Sequence, residues 1–144
     1  MLTSDKSIVG SVRLIESCYS IGVASAPIVT VYQGAFTPNH VYTPTDVSDV
    51  IEHARLRGIR VIPEIDTPGH TYSWHKAMPE LITVCWANGK PHQAIYGTQG
   101  EMEIFNPIEP RVYSTMDSLL REVKSRFPSN FIHLGMDEVY DKCW

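Results

Sequence analysis

Thr43-Pro44-Thr45-Asp46-Val47-Ser48-Asp49-Val50-Ile51-Glu52-His53-Ala54-Arg55-Leu56-Arg57-Gly58-Ile59-Arg60-Val61-Ile62-Pro63-Glu64-Ile65 is the stretch from which the fold is read. Thr43 is an N-cap, and Pro44 takes the first helical position, where its missing N–H costs nothing. An acid, Asp46, follows in the first turn. Val47, Val50, Ile51, Ala54 and Leu56 then return at roughly helical spacing. Gly58 stops the helix, because a left-handed cap suits a residue without Cβ. An apolar run, Ile59 to Ile65, starts at once. The expectation is a helix over 44–57 and a strand over 59–65, joined by a tight turn.

A second unit of the same kind follows. Val112, Met116, Leu119, Leu120 and Val123 form one apolar stripe over 111–126, ended by Phe127-Pro128. Phe131 to Met136 then reads as a buried strand, interrupted by His133 and Gly135. Helix, strand, loop, helix, strand is the order of parallel strands joined by a right-handed crossover, so the class is α/β. Apolar runs without alternation suit strands covered on both faces. Between the units lie Asp66-Thr67-Pro68-Gly69-His70 and a connection without a clear element up to about Pro107. A connection of that length is more often functional than idle. Residues 1 to 35 carry weak signals: a short helix over Val12 to Tyr19, a strand over Ile28 to Tyr32, and then a turn over Thr37 to His40.

The chain has 144 residues, 43% hydrophobic and 19% charged, which suits one globular domain. A net charge of −4, with no Lys/Arg cluster, argues against nucleic acid or an acidic membrane surface as the main partner. No apolar run approaches the roughly 20 residues that span a bilayer. Ala24-Ser25-Ala26 resembles a signal-peptidase site, but Asp5 and Glu16 precede it and Pro27 follows the cut, so a signal peptide is not expected from this pattern. The spacing of Cys18, Cys85 and Cys143 shows neither a disulfide framework nor a zinc site.

In α/β folds chemistry gathers at the carboxyl ends of the strands. Those ends are Asp66 to His70 and Asp137-Glu138. An acid pair closing a buried strand costs stability unless compensated, which marks it as a functional candidate. The plainer readings are a helix N-cap for Asp137 and a surface carboxylate for Glu138. Neighbouring residues on a regular strand face opposite sides. Both acids therefore reach one ligand only if the strand leaves ideal geometry. His70, His133, Asp137 and Glu138 match no metal spacing such as His-Glu-x-x-His, so neither metal nor cofactor is expected.

Three motifs together resemble glycoside hydrolase family 20, the β-N-acetylhexosaminidases, and in particular their lysosomal type. They are Ala54-Arg55-Leu56-Arg57-Gly58-Ile59-Arg60-Val61, Glu64-Ile65-Asp66-Thr67-Pro68-Gly69-His70-Thr71 and His133-Leu134-Gly135-Met136-Asp137-Glu138-Val139, with Cys143-Trp144 behind them. The resemblance covers about residues 34 to 144. It implies a (β/α)8 TIM barrel, with 59–65 as the third strand and 131–136 as the fourth. A whole barrel takes about 250 residues, so a partial barrel over 36–144 is expected, with 1–35 unassigned.

The resemblance also implies roles. Glu138 is the general acid/base, placed for that role by burial among apolar neighbours. Asp137 accepts the N–H of the substrate's 2-acetamido group, whose oxygen attacks the anomeric carbon. His70 hydrogen-bonds Glu138, Asp66 braces the loop, and His133 is a satisfied buried histidine bracing the barrel. Cys85 and Cys143 form a disulfide tying the long connection to the strand end, which leaves Cys18 over. Substrates are N-acetylhexosamine-containing glycans or glycolipids, a homologous subunit is a candidate dimer partner, and the location is lysosomal or secreted. Most members of the family it resembles carry glycine where this chain has Met136, whose bulk either narrows the pocket or points into a neighbouring layer. The family's arginine after the first strand and acid after the second have no counterpart in residues 1–35. A non-catalytic sugar-binding or subunit-pairing role is the alternative.

Overall fold

The computed structural model describes residues 8–13, 20–21, 41–91, 104–139 and 141–144. Helix α1, Pro44–Arg55, begins as expected. The Thr43 hydroxyl accepts from Asp46 N–H at 3.1 Å, and the Asp46 carboxylate accepts from Thr43 N–H at 2.7 Å. That reciprocal box satisfies two of the donors a helix start leaves open. Leu56 caps the other end, and Gly58 turns the chain at φ +69°. The helix thus stops two residues before the expected boundary, because the last turn is spent on the cap.

Strand β4, Ile59–Glu64, follows. It pairs in parallel with β1, Ile8–Arg13, in the register Ile8 to Ile59 through Arg13 to Glu64. Val12 and Arg13 therefore close a strand instead of opening a helix. The run Ile-Val-Gly-Ser-Val-Arg has a glycine and a serine at its centre, and pairing with a partner some 50 residues away outweighs that weak local preference. The remainder of the expected helix to Tyr19, the strand over 28–32 and the turn at 37–40 lie outside the described residues. A second parallel pair joins β2, Ser20–Ile21, to β3, Val41–Tyr42.

Residues 131–136 run alongside β4 but form a single bridge, Glu64 to His133. Ile65 N–H donates to His133 O at 2.9 Å, His133 N–H to Pro63 O at 2.9 Å, and Thr67 N–H to Leu134 O at 3.0 Å. The expected buried strand is thus corrected to a short extended edge, with Phe131 60% and Met136 65% exposed. It is paired along one side only among the described residues, and left-handed backbone at Gly135 and Met136 ends the ladder.

The long connection is not featureless. It holds helix α2, Tyr72–Ala77, a 3-10 turn at Pro79–Leu81, and a hairpin of β5, Trp86–Ala87, and β6, Lys90–Pro91. The hairpin turns on Asn88 and Gly89, φ +52° and +70°, the pair that a tight two-residue turn favours. Phe105 N–H donates to Pro68 O at 3.0 Å, and Thr83 N–H to Ile104 O at 2.7 Å, so the connection folds back under the 66–70 loop. Helix α3, Pro110–Arg126, buries Val112, Leu119 and Val123. These join Val47, Val61, Ile65, Leu81, Phe105 and Phe127 in one core, where Trp74 meets Phe105 edge-on at 5.2 Å. Burying each such side chain contributes about 1.5–3 kcal/mol. Among the described residues there is α/β packing without a closed barrel, and no helix is long and apolar enough to cross a membrane.

Candidate active site

Just past β4 the chain stays buried: Ile65 is 1% and Asp66 3% exposed. Asp66 Oδ1 accepts from Met136 N–H at 3.3 Å, bridging the ends of the two neighbouring segments. From there the backbone leaves strand geometry. Gly135, Met136 and Glu138 have φ of +68°, +73° and +50°. A regular strand would send Asp137 and Glu138 to opposite faces, and this run of left-handed residues supplies the departure that a shared site requires.

The 66–70 loop packs tightly against that turn. A Cβ on Gly69 would lie 3.4 Å from Asp137 O and 3.7 Å from Val139 Cα. His70, itself at φ +54°, places Nε2 3.6 Å from Glu138 Oε2. That separation exceeds a hydrogen bond, and His70 Nε2 is a buried nitrogen without a hydrogen-bond partner. Asp66, His70 and Asp137 each place a ligand-capable atom within 4.8 Å of the others. Asp66, His70, Asp137 and Glu138 are therefore brought together. Three expectations change. His70 lies beside Glu138 without the expected hydrogen bond. The Glu138 side chain is 80% exposed, so burial does not place it among the described residues. His133 is not a buried brace, because its side chain is 61% exposed and lies back along the edge, Nδ1 3.6 Å from Glu64 Oε1.

Glu64, its side chain 5% exposed, is the polar group that sequence reading passed over. The signal was there: a carboxylate inside Ile-Pro-Glu-Ile is as costly to bury as the pair that was noticed. Beside the acids lies an open apolar groove of about 260 Å³, lined among others by Pro68, Phe105, Leu134, Met136 and Trp144. Met136, 65% exposed, is among the residues that line it. Trp144 Nε1–H donates to Phe105 O at 3.2 Å. The Cys85–Cys143 disulfide ties the long connection to the segment behind the acid pair.

Known proteins resemble this chain over most of its length. Residues 17–144 match the glycosyl hydrolase family 20 catalytic domain. The β-hexosaminidase subunit beta of Homo sapiens is 48% identical over 115 residues, 78% of this chain and 19% of that protein. The β-hexosaminidase subunit alpha of Rattus norvegicus is 45% identical over 113 residues, 78% of this chain and 20% of that protein. A family 20 exo-β-N-acetylglucosaminidase from Vibrio harveyi, solved with N-acetylglucosamine, superposes at TM-score 0.71 and 27% identity over 94% of this chain and 23% of its own. The chain thus spans about a fifth of the length of the relatives it matches. On a match that runs from residue 17 to residue 144, through the loop of His70 and the turn of Asp137 and Glu138, this chain belongs to glycosyl hydrolase family 20.

Proposed function

We propose that the chain carries the acid pair of a β-N-acetylhexosaminidase, an O-glycosyl hydrolase that removes terminal non-reducing N-acetylhexosamine from glycans or glycolipids. The observation that carries this reading is the convergence of His70, Asp66, Asp137 and Glu138 at the ends of two neighbouring parallel segments in a family 20 chain. Glu138 gives its proton to the glycosidic oxygen while the substrate's acetamido oxygen attacks the anomeric carbon. Asp137 accepts the acetamido N–H, orienting the group and offsetting the positive charge that develops on it. Water then opens the oxazolinium intermediate, with Glu138 as base, and configuration is retained. His70 steadies the Glu138 carboxyl, Asp66 braces both loops, and His133 supports the turn. No cofactor enters these steps.

In the same reading, 59–65 and 131–136 stand as third and fourth barrel strands, 36–144 is the barrel portion, 1–35 is unassigned, and the protein works in the lysosome or outside the cell. With Glu138 largely in water, the leaving oxygen competes with solvent for its proton, so turnover by this chain is slow. Hydrolysis of a chromogenic N-acetyl-β-glucosaminide by the chain and by Glu138→Gln tests the assignment. A loss of about 10²-fold or more is expected, the usual worth of a positioned acid, and equal rates in both proteins overturn it.

The exposed edge at Phe131, Ile132, Leu134 and Met136 supports a second reading, in which this segment pairs with a homologous subunit. Light scattering that finds only monomer across the accessible concentration range removes it.

A further inference from the structure

We propose that His133 is a positioning residue for the acid pair, acting through the Gly135 N–H as a clamp that opens when the imidazole takes a proton. The inference rests on the role proposed above for Asp137 and Glu138, but its geometry does not. Gly135 N–H donates to His133 Nδ1 at 3.1 Å. A ring nitrogen accepts only when it carries no proton, so this bond defines neutral His133 with its hydrogen on Nε2. The clamped residue is the first of the left-handed run that delivers Asp137 and Glu138. The turn thus has two tethers at its start: His133 Nδ1 on Gly135 and Asp66 Oδ1 on Met136.

The same Nδ1 lies 3.6 Å from Glu64 Oε1. Protonation puts a hydrogen on both ring nitrogens. Nδ1 then repels the Gly135 N–H it had accepted from, and the Glu64 carboxylate becomes an acceptor within a small swing of the ring. One tether is lost, and Gly135, free of a Cβ, has the conformational range to follow. The charged groups around this switch come from the flanking strands and the turn. Glu64 and Arg60 lie on β4, the latter with its guanidinium 5.7 Å from the Phe131 ring centre. Asp66 follows β4, Arg13 holds the register position opposite Glu64 on β1, and Asp137 and Glu138 follow in the turn itself.

Nitrogen-15 NMR of the whole chain, titrated across the range where imidazoles change charge, about pH 5 to 8, tests the clamp without any turnover. The neutral His133 ring is expected to show its hydrogen on Nε2. The Gly135 amide resonance is expected to shift with the same midpoint as the ring, and its exchange, corrected for intrinsic pH dependence, to quicken roughly tenfold below that midpoint, the worth of about one hydrogen bond. His133→Asn, which presents an oxygen acceptor that does not titrate, should keep the Gly135 amide protected and abolish the step. His133→Phe should leave it unprotected at every pH. Hydrogen on Nδ1 in the neutral ring, or a Gly135 amide indifferent to the ring's titration, overturns the proposal. Both readings come from the unsubstituted chain, so they stand even where a variant does not fold. A clamp confirmed in a chain without hydrolase activity would refute the assigned chemistry and leave the clamp intact.

Discussion

Gly135 lies so close to Asp66 that a Cβ on the glycine would stand 1.9 Å from the Asp66 Oδ1, the atom that accepts from the next residue's N–H at 3.3 Å. The brace between the two loops and the absence of a side chain at 135 are therefore one feature. Gly135→Ala meets both this clash and a φ of +68°, and is expected to cost about 1–3 kcal/mol. Urea unfolding measures it. Adding Asp66→Ala removes the obstructing carboxylate, so the double variant should lose less than the sum of the two, with a coupling of roughly 0.5 kcal/mol or more.

Met136 sits at φ +73°, where a residue with a Cβ is disfavoured by about 1–2 kcal/mol. Met136→Gly relieves the strain and keeps the N–H that Asp66 binds, while the more flexible unfolded chain takes back about 0.4–1 kcal/mol. A net gain of about 1 kcal/mol or less is expected in the same unfolding measurement. A loss would mean that the methionine's contacts in the groove outweigh its backbone.

The Cys85–Cys143 bond closes a loop of sequence separation 58. The chain-entropy cost it removes from the unfolded state is about 4 kcal/mol. Reductant, or Cys85→Ser with Cys143→Ser, should lower stability by up to that amount. Proteolysis should then cut first in the connection that the bond restrains.

At the start of α3 the Glu109 side chain accepts from Arg111 N–H at 3.1 Å and from its guanidinium Nε at 2.8 Å. These bonds hold its carboxyl down from 4.5 to about 2. A depressed folded-state pKa contributes stability that is fully present above the unfolded value and is lost as pH falls through the folded one. The contribution should therefore be intact above about pH 4.5 and disappear toward pH 2, and Glu109→Gln should flatten that part of the acid limb in a pH series of thermal unfolding.

Helix α1, its cap, Gly58 and strand β4 were legible from residues 43–65 because capping, periodicity and turn chemistry are local and agree with one another. Helix α3 was legible from its apolar stripe and the Phe127-Pro128 stop, and the motif of Asp66 to His70 with that of His133 to Val139 pointed to the family and to four residues proposed for the site. Strand β1 was not legible, because its pairing with β4 is a long-range contact that local composition does not signal. The Asn88-Gly89 hairpin was a local signal left unread.

From sequence alone follow the α/β class, helix α1 with its cap and strand β4, and the two acids as candidates, since these depend on neighbours along the chain. Only the tertiary structure decided how the acids are presented. It set left-handed backbone at Gly135, Met136 and Glu138 against the Asp66 carboxylate, left Glu138 in solvent, and moved His133 to an exposed edge beside Glu64. Exposure and side-chain direction at a strand end depend on what packs from other parts of the chain, and no periodicity along the sequence encodes that.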